Sequence, residues 1–474
     1  MFKLEADSAI RQIMSNSAVP TTWPDGPLFI EPAVTRPKLS RRPIPTVSLT
    51  TATSIVVANM VGTGVFTSLG FQVTDLPSAF VILCLWALGG LVALGGALSY
   101  AELAAALPRS GGEYHFLSRI FHPALGFLAG WTSATVGFAA PIALAAIAFG
   151  TYAKGLIPGV SPLVLSLVLV WGTSAVHFAG LRRGSVFQNW FTALKVALIV
   201  AFTVAGFVVR AAPAVSFLPA RHDWHLMTGE AFAISLVYVM YAYSGWNAST
   251  YIVNEIRAPE RNVPRSLGIG TVAVLALYLA LNAAFLRTTP MSAMAGKVEV
   301  GLIAGQQIFG QAGGQVVAAL ICLGLISTVS SMIWIGPRVT VAMGEDLPGL
   351  ALLAIKTRNG TPRVALAVQA VITTVLLAAK FENVLVYIQL ALILFSALTV
   401  LGVIVLRIRE PDLPRPYRTW GYPVTPVLFL IVSGIMIFYA VQSKPWESLA
   451  GLGTIVAGLV IYFASGGTFK RVRR

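Results

Sequence analysis

The sequence predicts an all-α polytopic membrane protein of about twelve transmembrane helices, ten of them in two sets of five. Three observations carry this. Hydrophobic residues make up 56% of the 474 residues and charged residues only 11%, with a mean hydropathy of +0.79, which excludes a soluble chain of this length. About twelve apolar runs approach the roughly 20 residues that cross a bilayer. The first and sixth runs are each interrupted at mid-span, by Gly62-Thr63-Gly64 and by Ser244-Gly245.

The runs fall near 48–73, 78–106, 123–156, 161–179, 185–209, 229–254, 266–287, 313–337, 363–380, 383–407, 423–442 and 447–465. Residues 1–44 precede them as a polar, proline-dotted stretch, read as a disordered cytoplasmic tail without the features of a signal peptide. A transporter domain then fills 45–466, with repeats over about 47–210 and 228–408 and extra helices within 422–465. A basic cytoplasmic tail, 467–474, ends the chain.

In the first helix, two glycines around Thr63 favour unwinding within Ser54–Leu69. Unwinding frees backbone groups that cost several kcal/mol each in hydrocarbon, so it survives only in a protein-lined or watered site. Close packing through small residues also fits this segment alone. The second interruption decides between them. Two units of five helices are related by inverted topology, and breaks at corresponding positions mark a transporter site.

The second helix ends in Ser99-Tyr-Ala-Glu-Leu103, where Glu102 is expected to pair with inner arginines, as is Glu255 after the sixth. The inner loops 107–122 and 338–362 have room for amphipathic surface helices, and 288–312 for a short helix around Gly301–Phe309. Lys195 is the strong charge inside the fifth helix, about ten residues or roughly 15 Å from Gly184. That distance argues against snorkelling and for a functional or structural tether, or a proton carrier. Ser327, Thr328, Ser330 and Ser331 on the eighth helix suit a sodium ion, a substrate or, more commonly, a neighbouring helix.

The half-helix beginning near Gly64 offers free N–H groups and a positive dipole end to a carboxylate, drawing Gly62, Thr63 and Gly64 into the site. Free carbonyls at Met60, Val61, Tyr241, Ala242 and Tyr243 suit an ammonium group. The two receptors together fit an α-amino acid. Tyr241, Tyr243 and Trp246 form an aromatic gate, face lipid or pack the core, and Asn59, Ser244 and Asn247 flank the breaks. The central spans of helices 1, 3, 6 and 8 hold no acidic residue, which favours a neutral substrate over a polyamine or organic amine. A non-transporting nutrient sensor is the alternative of another class, supported only by the tail.

The formal charge of +15 is topological. From Arg36 onward, twenty-three Lys and Arg fall on the inner segments against seven on the outer ones, which puts both termini in the cytoplasm and argues against a nucleic-acid partner. Cys84 and Cys322 lie in apolar helices, and no cluster has metal-ligand spacing. No metal, cofactor or enzymatic chemistry is expected.

Four motifs closely resemble the amino acid/polyamine/organocation superfamily and, within it, the L-type amino acid transporter family. They are Gly62-Thr-Gly-Val-Phe66; Tyr100-Ala-Glu-Leu103 with Pro108-Arg-Ser-Gly-Gly-Glu-Tyr114; Tyr243-Ser-Gly-Trp-Asn247 with Asn254-Glu255 and Pro259-Glu-Arg-Asn-Val-Pro264; and Arg409-Glu-Pro-Asp-Leu-Pro-Arg-Pro-Tyr-Arg418. The resemblance implies the leucine-transporter-type inverted-repeat fold and amino acid transport across the cell membrane. It also implies a carboxylate on Gly62, Thr63 and Gly64, an ammonium on carbonyls at Met60, Tyr241 and Ala242, and a gate at Tyr241. Lys195 falls where the family's lysine replaces a sodium site, which implies sodium independence. The loop Thr151–Pro162 has no cysteine, so the disulfide-linked heavy chain of animal members is not expected. Pro141 in the third helix departs from the pattern.

Overall fold

The computed structural model describes residues 47–157, 159–179, 184–209, 215–357, 360–379 and 381–465; the tails expected at 1–44 and 467–474 lie outside the described residues. Every regular element among the described residues is helical, and one isolated parallel bridge joins Val47 to Ile256. Helices dominate because a backbone in hydrocarbon must satisfy its polar groups within its own segment.

The elements are α1 (Leu49–Met60), α2 (Gly64–Asp75), α3 (Ala79–Ala106), α4 (Glu113–Ile120), α5 (Pro123–Lys154), α6 (Pro162–Phe178), α7 (Gly184–Val208) and α8 (Glu230–Tyr243). They continue with α9 (Pro259–Thr288), α10 (Val300–Asp346), α11 (Arg363–Leu376), α12 (Phe381–Arg409), α13 (Val424–Ser443) and α14 (Pro445–Ala464). With α1 and α2 counted together, nine described helices are long and apolar enough to cross a membrane, and α6 and α11 are shorter apolar helices. This is a polytopic membrane protein. Hydroxyl caps start three of the helices: Ser48, Ser78 and Ser161 accept from the N–H groups of Thr51, Val81 and Val164.

Sequence and structure differ at three interruptions. The sixth run does not resume as an α-helix after its break but continues as a 3-10 segment, Ala248–Glu255. There the Thr250 hydroxyl donates to the Asn247 carbonyl at 2.7 Å, competing locally with α-helical pairing. Within α5 a π-helical turn, Ser133–Phe138, precedes Pro141. Proline has no N–H to return to Gly137, and the widened turn absorbs the gap. The eighth run extends to Asp346 rather than ending near 337, and Gly310, at φ 76°, separates its first ten residues from the rest.

Buried apolar side chains form one dominant core. In it α1 packs on α7 and α9, α2 packs on α8, and α3 runs along α9. Ion pairs gather at the arginine-rich end. Glu102, 1% exposed, takes a bidentate contact from Arg407 and the Thr419 N–H at 2.7 Å. Arg338 pairs with Glu255 at 3.2 Å, Arg109 with Asp346 at 2.8 Å and Arg119 with Glu410 at 2.7 Å.

Candidate functional site

The two breaks meet at the centre of the core. α1 stops at Met60, α2 starts at Gly64, and the intervening Gly62 N–H turns back to the Met60 carbonyl at 2.8 Å. α8 stops at Tyr243, and Gly245 adopts φ 95°, a conformation open to glycine and strained for other residues. A Cβ on Gly64 would lie 2.5 Å from the Ala242 Cα, and one on Gly245 would lie 2.9 Å from the Asn59 carbonyl carbon. Glycine therefore lets the backbones beside the two breaks touch.

At this contact the Thr63 hydroxyl and the Tyr241 hydroxyl are 3.1 Å apart. The opening N–H groups of α2 have no earlier turn to donate to, which leaves a positive helix start. Gly62, Thr63, Gly64, Tyr241 and Ala242 line a narrow cavity. A larger one adjoins it, sharing Asn59, Pro141, Ser244 and Met332.

The carbonyls freed by the breaks are largely engaged. Lys195, 3% exposed, points its ammonium from α7 into the α1 break, donating to Val61 O at 2.9 Å and Ala58 O at 3.2 Å. It also donates to the Thr328 hydroxyl of α10 at 2.6 Å. Thr328 bonds in turn to the Val61 and Gly324 carbonyls. Tyr278, fully buried on α9, reaches Met60 O at 2.6 Å and Ala242 O at 3.1 Å, one on each broken segment. Its hydroxyl carries one proton, so it satisfies one of the two at a time. The Tyr241 carbonyl accepts the Ser244 N–H at 3.0 Å. The Tyr241 and Ala242 carbonyls each keep a second lone pair, whereas Met60 O also accepts the Gly62 N–H and Val61 O accepts from both Lys195 and Thr328.

The flanking side chains separate into two groups. Asn247 and Trp246 line the larger cavity, with Trp246 edge-on to Tyr100 at 4.7 Å. The Tyr243 side chain lies outside both cavities and donates to Trp86 O at 3.1 Å. Asn59 donates within its own helix to Ile55 O at 2.8 Å. On α10, Ser331 donates to Thr328 O, Ser330 meets His177, and the buried Ser327 hydroxyl has no partner.

Sequence reasoning passed over Glu113 and Tyr278. Glu113, 4% exposed, accepts from Tyr100 at 2.9 Å, from Asn247 at 2.7 Å and from Tyr251, with no cation on it among the described residues. Burial pushes its carboxyl above the ordinary carboxylate range, and those three donors pull the other way. The Gly111-Gly112-Glu113-Tyr114 motif was its only signal. Tyr278 sits in an apolar helix and gave none.

Tyr278→Phe removes the shared donor from both breaks. Uptake efficiency is expected to fall about tenfold, with a stability loss of about 1–3 kcal/mol, because a buried acceptor is left unpaired. Uptake kinetics and thermal unfolding of the purified protein check this.

Among the described residues no group of His, Cys, Asp and Glu has the arrangement to hold a metal ion, and both cysteines are free. The sequence profile of the amino acid permease family matches residues 47–461. The chain is 28% identical over 426 residues to the b(0,+)-type amino acid transporter 1 of Mus musculus, covering 88% of this chain and 87% of that protein. The Homo sapiens counterpart is 28% identical over 420 residues, with 86% and 85% covered. The large neutral amino acids transporter small subunit 2 of Homo sapiens is 26% identical over 433 residues, with 88% and 79% covered. The chain belongs to the amino acid permease family: it is an amino acid transporter of the membrane and not an enzyme.

Proposed function

We propose that this permease carries neutral α-amino acids by alternating access, without sodium, on a site made by the two helix breaks. One observation carries the reading: the Gly62–Gly64 and Ala242–Gly245 segments are in backbone contact, setting an anion-receptive helix start beside freed carbonyls. The substrate carboxylate would sit on the N–H groups of Thr63 and Gly64, and on that of Gly62 once it leaves the Met60 carbonyl. Its ammonium would share the carbonyls of Met60, Val61, Tyr241, Ala242 and Tyr243 with Lys195 and Tyr278.

Lys195 supports sodium independence. Its ammonium lies between α1, α7 and α10, on the oxygens that a sodium ion would need, and like charges there repel. Neutral substrates are supported by the cavity walls, which carry no acidic or basic side chain. A relative named for large neutral amino acids points the same way.

The broken helices support a leucine-transporter-type fold of twelve helices, α1–α2 and α8 with its 3-10 continuation each counting as one. Substrate would enter from outside, Tyr241 would close over it, and α1 would swing from its break to release it inside. The arginine-rich end would face the cytoplasm of the cell, with exchange or a proton driving the cycle.

Purified protein in liposomes is expected to take up labelled neutral amino acids equally well with sodium or choline outside. Arms with internal substrate and with a pH gradient separate exchange from proton coupling. A strict sodium requirement would refute the role given to Lys195.

A further inference from the structure

We infer that Glu113 is a positioning residue: its carboxylate turns the amide of Asn247 so that the carbonyl oxygen, not the nitrogen, meets the substrate side chain in the larger cavity. The inference rests on the amino acid reading of the site and adds a preference for neutral side chains that end in an O–H or N–H donor.

The larger cavity adjoins the break site through Asn59 and Ser244, so a substrate anchored at the breaks would project its side chain into it. Asn247 immediately precedes the 3-10 segment that follows the second break. Its backbone is held there, because its carbonyl accepts the Thr250 N–H at 2.9 Å and the Thr250 hydroxyl at 2.7 Å. The side chain is half-buried and lines the cavity. Its Nδ2 donates to Glu113 Oε1 at 2.7 Å and to the Tyr251 hydroxyl at 3.1 Å.

Those two partners fix the direction of the amide. An ionised carboxylate only accepts. The Tyr251 hydroxyl gives its one proton to Glu113 Oε2, so toward Asn247 it also only accepts. Only the NH2 end can face two acceptors, and Oδ1 therefore points the other way. Among the described residues nothing donates to that oxygen, and it keeps accessible surface. On a side chain of the cavity wall, the open acceptor faces the cavity. Glu113 is 4% exposed with no cation on it among the described residues, a costly place for a charge. A carboxamide there would tie α4 to the 3-10 segment without that cost. It would offer a donor as readily as an acceptor, and Asn247 could turn over. The other walls are mostly apolar, Phe138, Leu392 and Ile393 among them, so one accepting oxygen discriminates between side chains of like size.

Glutamine and methionine have side chains of equal length and differ in the terminal donor. In liposomes, Glu113→Gln is expected to lower the glutamine-to-methionine ratio of kcat/KM about tenfold. Asn247→Leu, which keeps the shape and removes the acceptor, is expected to lower it as much. Adding Glu113→Gln to Asn247→Leu is expected to change the ratio no further, because the two act through one group. A carboxylate that only supported the fold would lower uptake of both substrates together and leave the ratio as in the wild type. That result overturns the inference, as does a double variant whose ratio falls well below that of Asn247→Leu. If Glu113→Gln transports neither substrate, Tyr251→Phe, which removes the other acceptor on the amide, takes its place. A fall of about threefold or more in its ratio supports the inference, and an unchanged ratio overturns it. Methionine uptake by the wild type with glutamine ignored refutes only this inference. Failure of the wild type to carry either substrate refutes the neutral amino acid reading as well.

Discussion

Lys195→Ala is expected to lower uptake about tenfold or more while shifting the unfolding temperature by only a few degrees. The ammonium is fully enclosed and makes three hydrogen bonds, two of them to carbonyls left free by the break after α1. Each bond from a charged donor contributes about 1.5–3 kcal/mol. Against this, bringing an ammonium out of water costs several kcal/mol. The two nearly cancel, so the lysine adds little to net stability. Its effect lies in position. It ties the end of α1 to α7 and to Thr328 on α10, and α1 is the segment that must swing. Without it, Ala58 and Val61 lose their shared donor and the break loses its geometry. Uptake in liposomes beside thermal unfolding of the purified variant checks this. Uptake within about twofold of wild type would sink the tether reading.

Gly64→Ala is expected to bring uptake to background, with unfolding destabilised by about 1–3 kcal/mol, the usual cost of overpacking. The added Cβ would lie 2.5 Å from the Ala242 Cα and 2.6 Å from its Cβ. Because the nearest obstacle is backbone, Ala242→Gly would not relieve it. The breaks would be forced apart, and the carboxylate and ammonium receptors would separate with them. Gly62 provides the control. A Cβ there would sit 3.4 Å from the Thr328 methyl, an ordinary contact, so Gly62→Ala is expected to keep more uptake than Gly64→Ala. Equal activity in the two variants would place the effect of Gly64 elsewhere than in this contact.

Much of the fold was legible because its causes are local. Apolar runs of span length and glycine-centred breaks are written in consecutive residues. Lys195 stood out because a charge in hydrocarbon is costly wherever it lies. The ion pairs of Glu102 and Glu255 followed from acidic residues at helix ends near arginine-rich loops. The sixth run misled after its break, because apolar content does not distinguish α from 3-10 pairing. The partners of the site were less visible. Glu113 and Asn247 are 134 residues apart, and Tyr278 is 218 from Met60. A tyrosine or glutamine inside an apolar helix is equally compatible with facing lipid, core or cavity.

The sequence by itself determined that this chain crosses a membrane as helices, that two of them break, and that a lysine lies among them. These follow from hydropathy and backbone pairing, which act within a segment. Tertiary structure alone decided what the breaks touch: Gly64 on Ala242, Lys195 on Val61 and Thr328, Tyr278 across both breaks, and Glu113 on Asn247. The reason is rotational. An apolar helix spans equally well at any rotation about its axis, and only packing against its neighbours selects the face that meets the site.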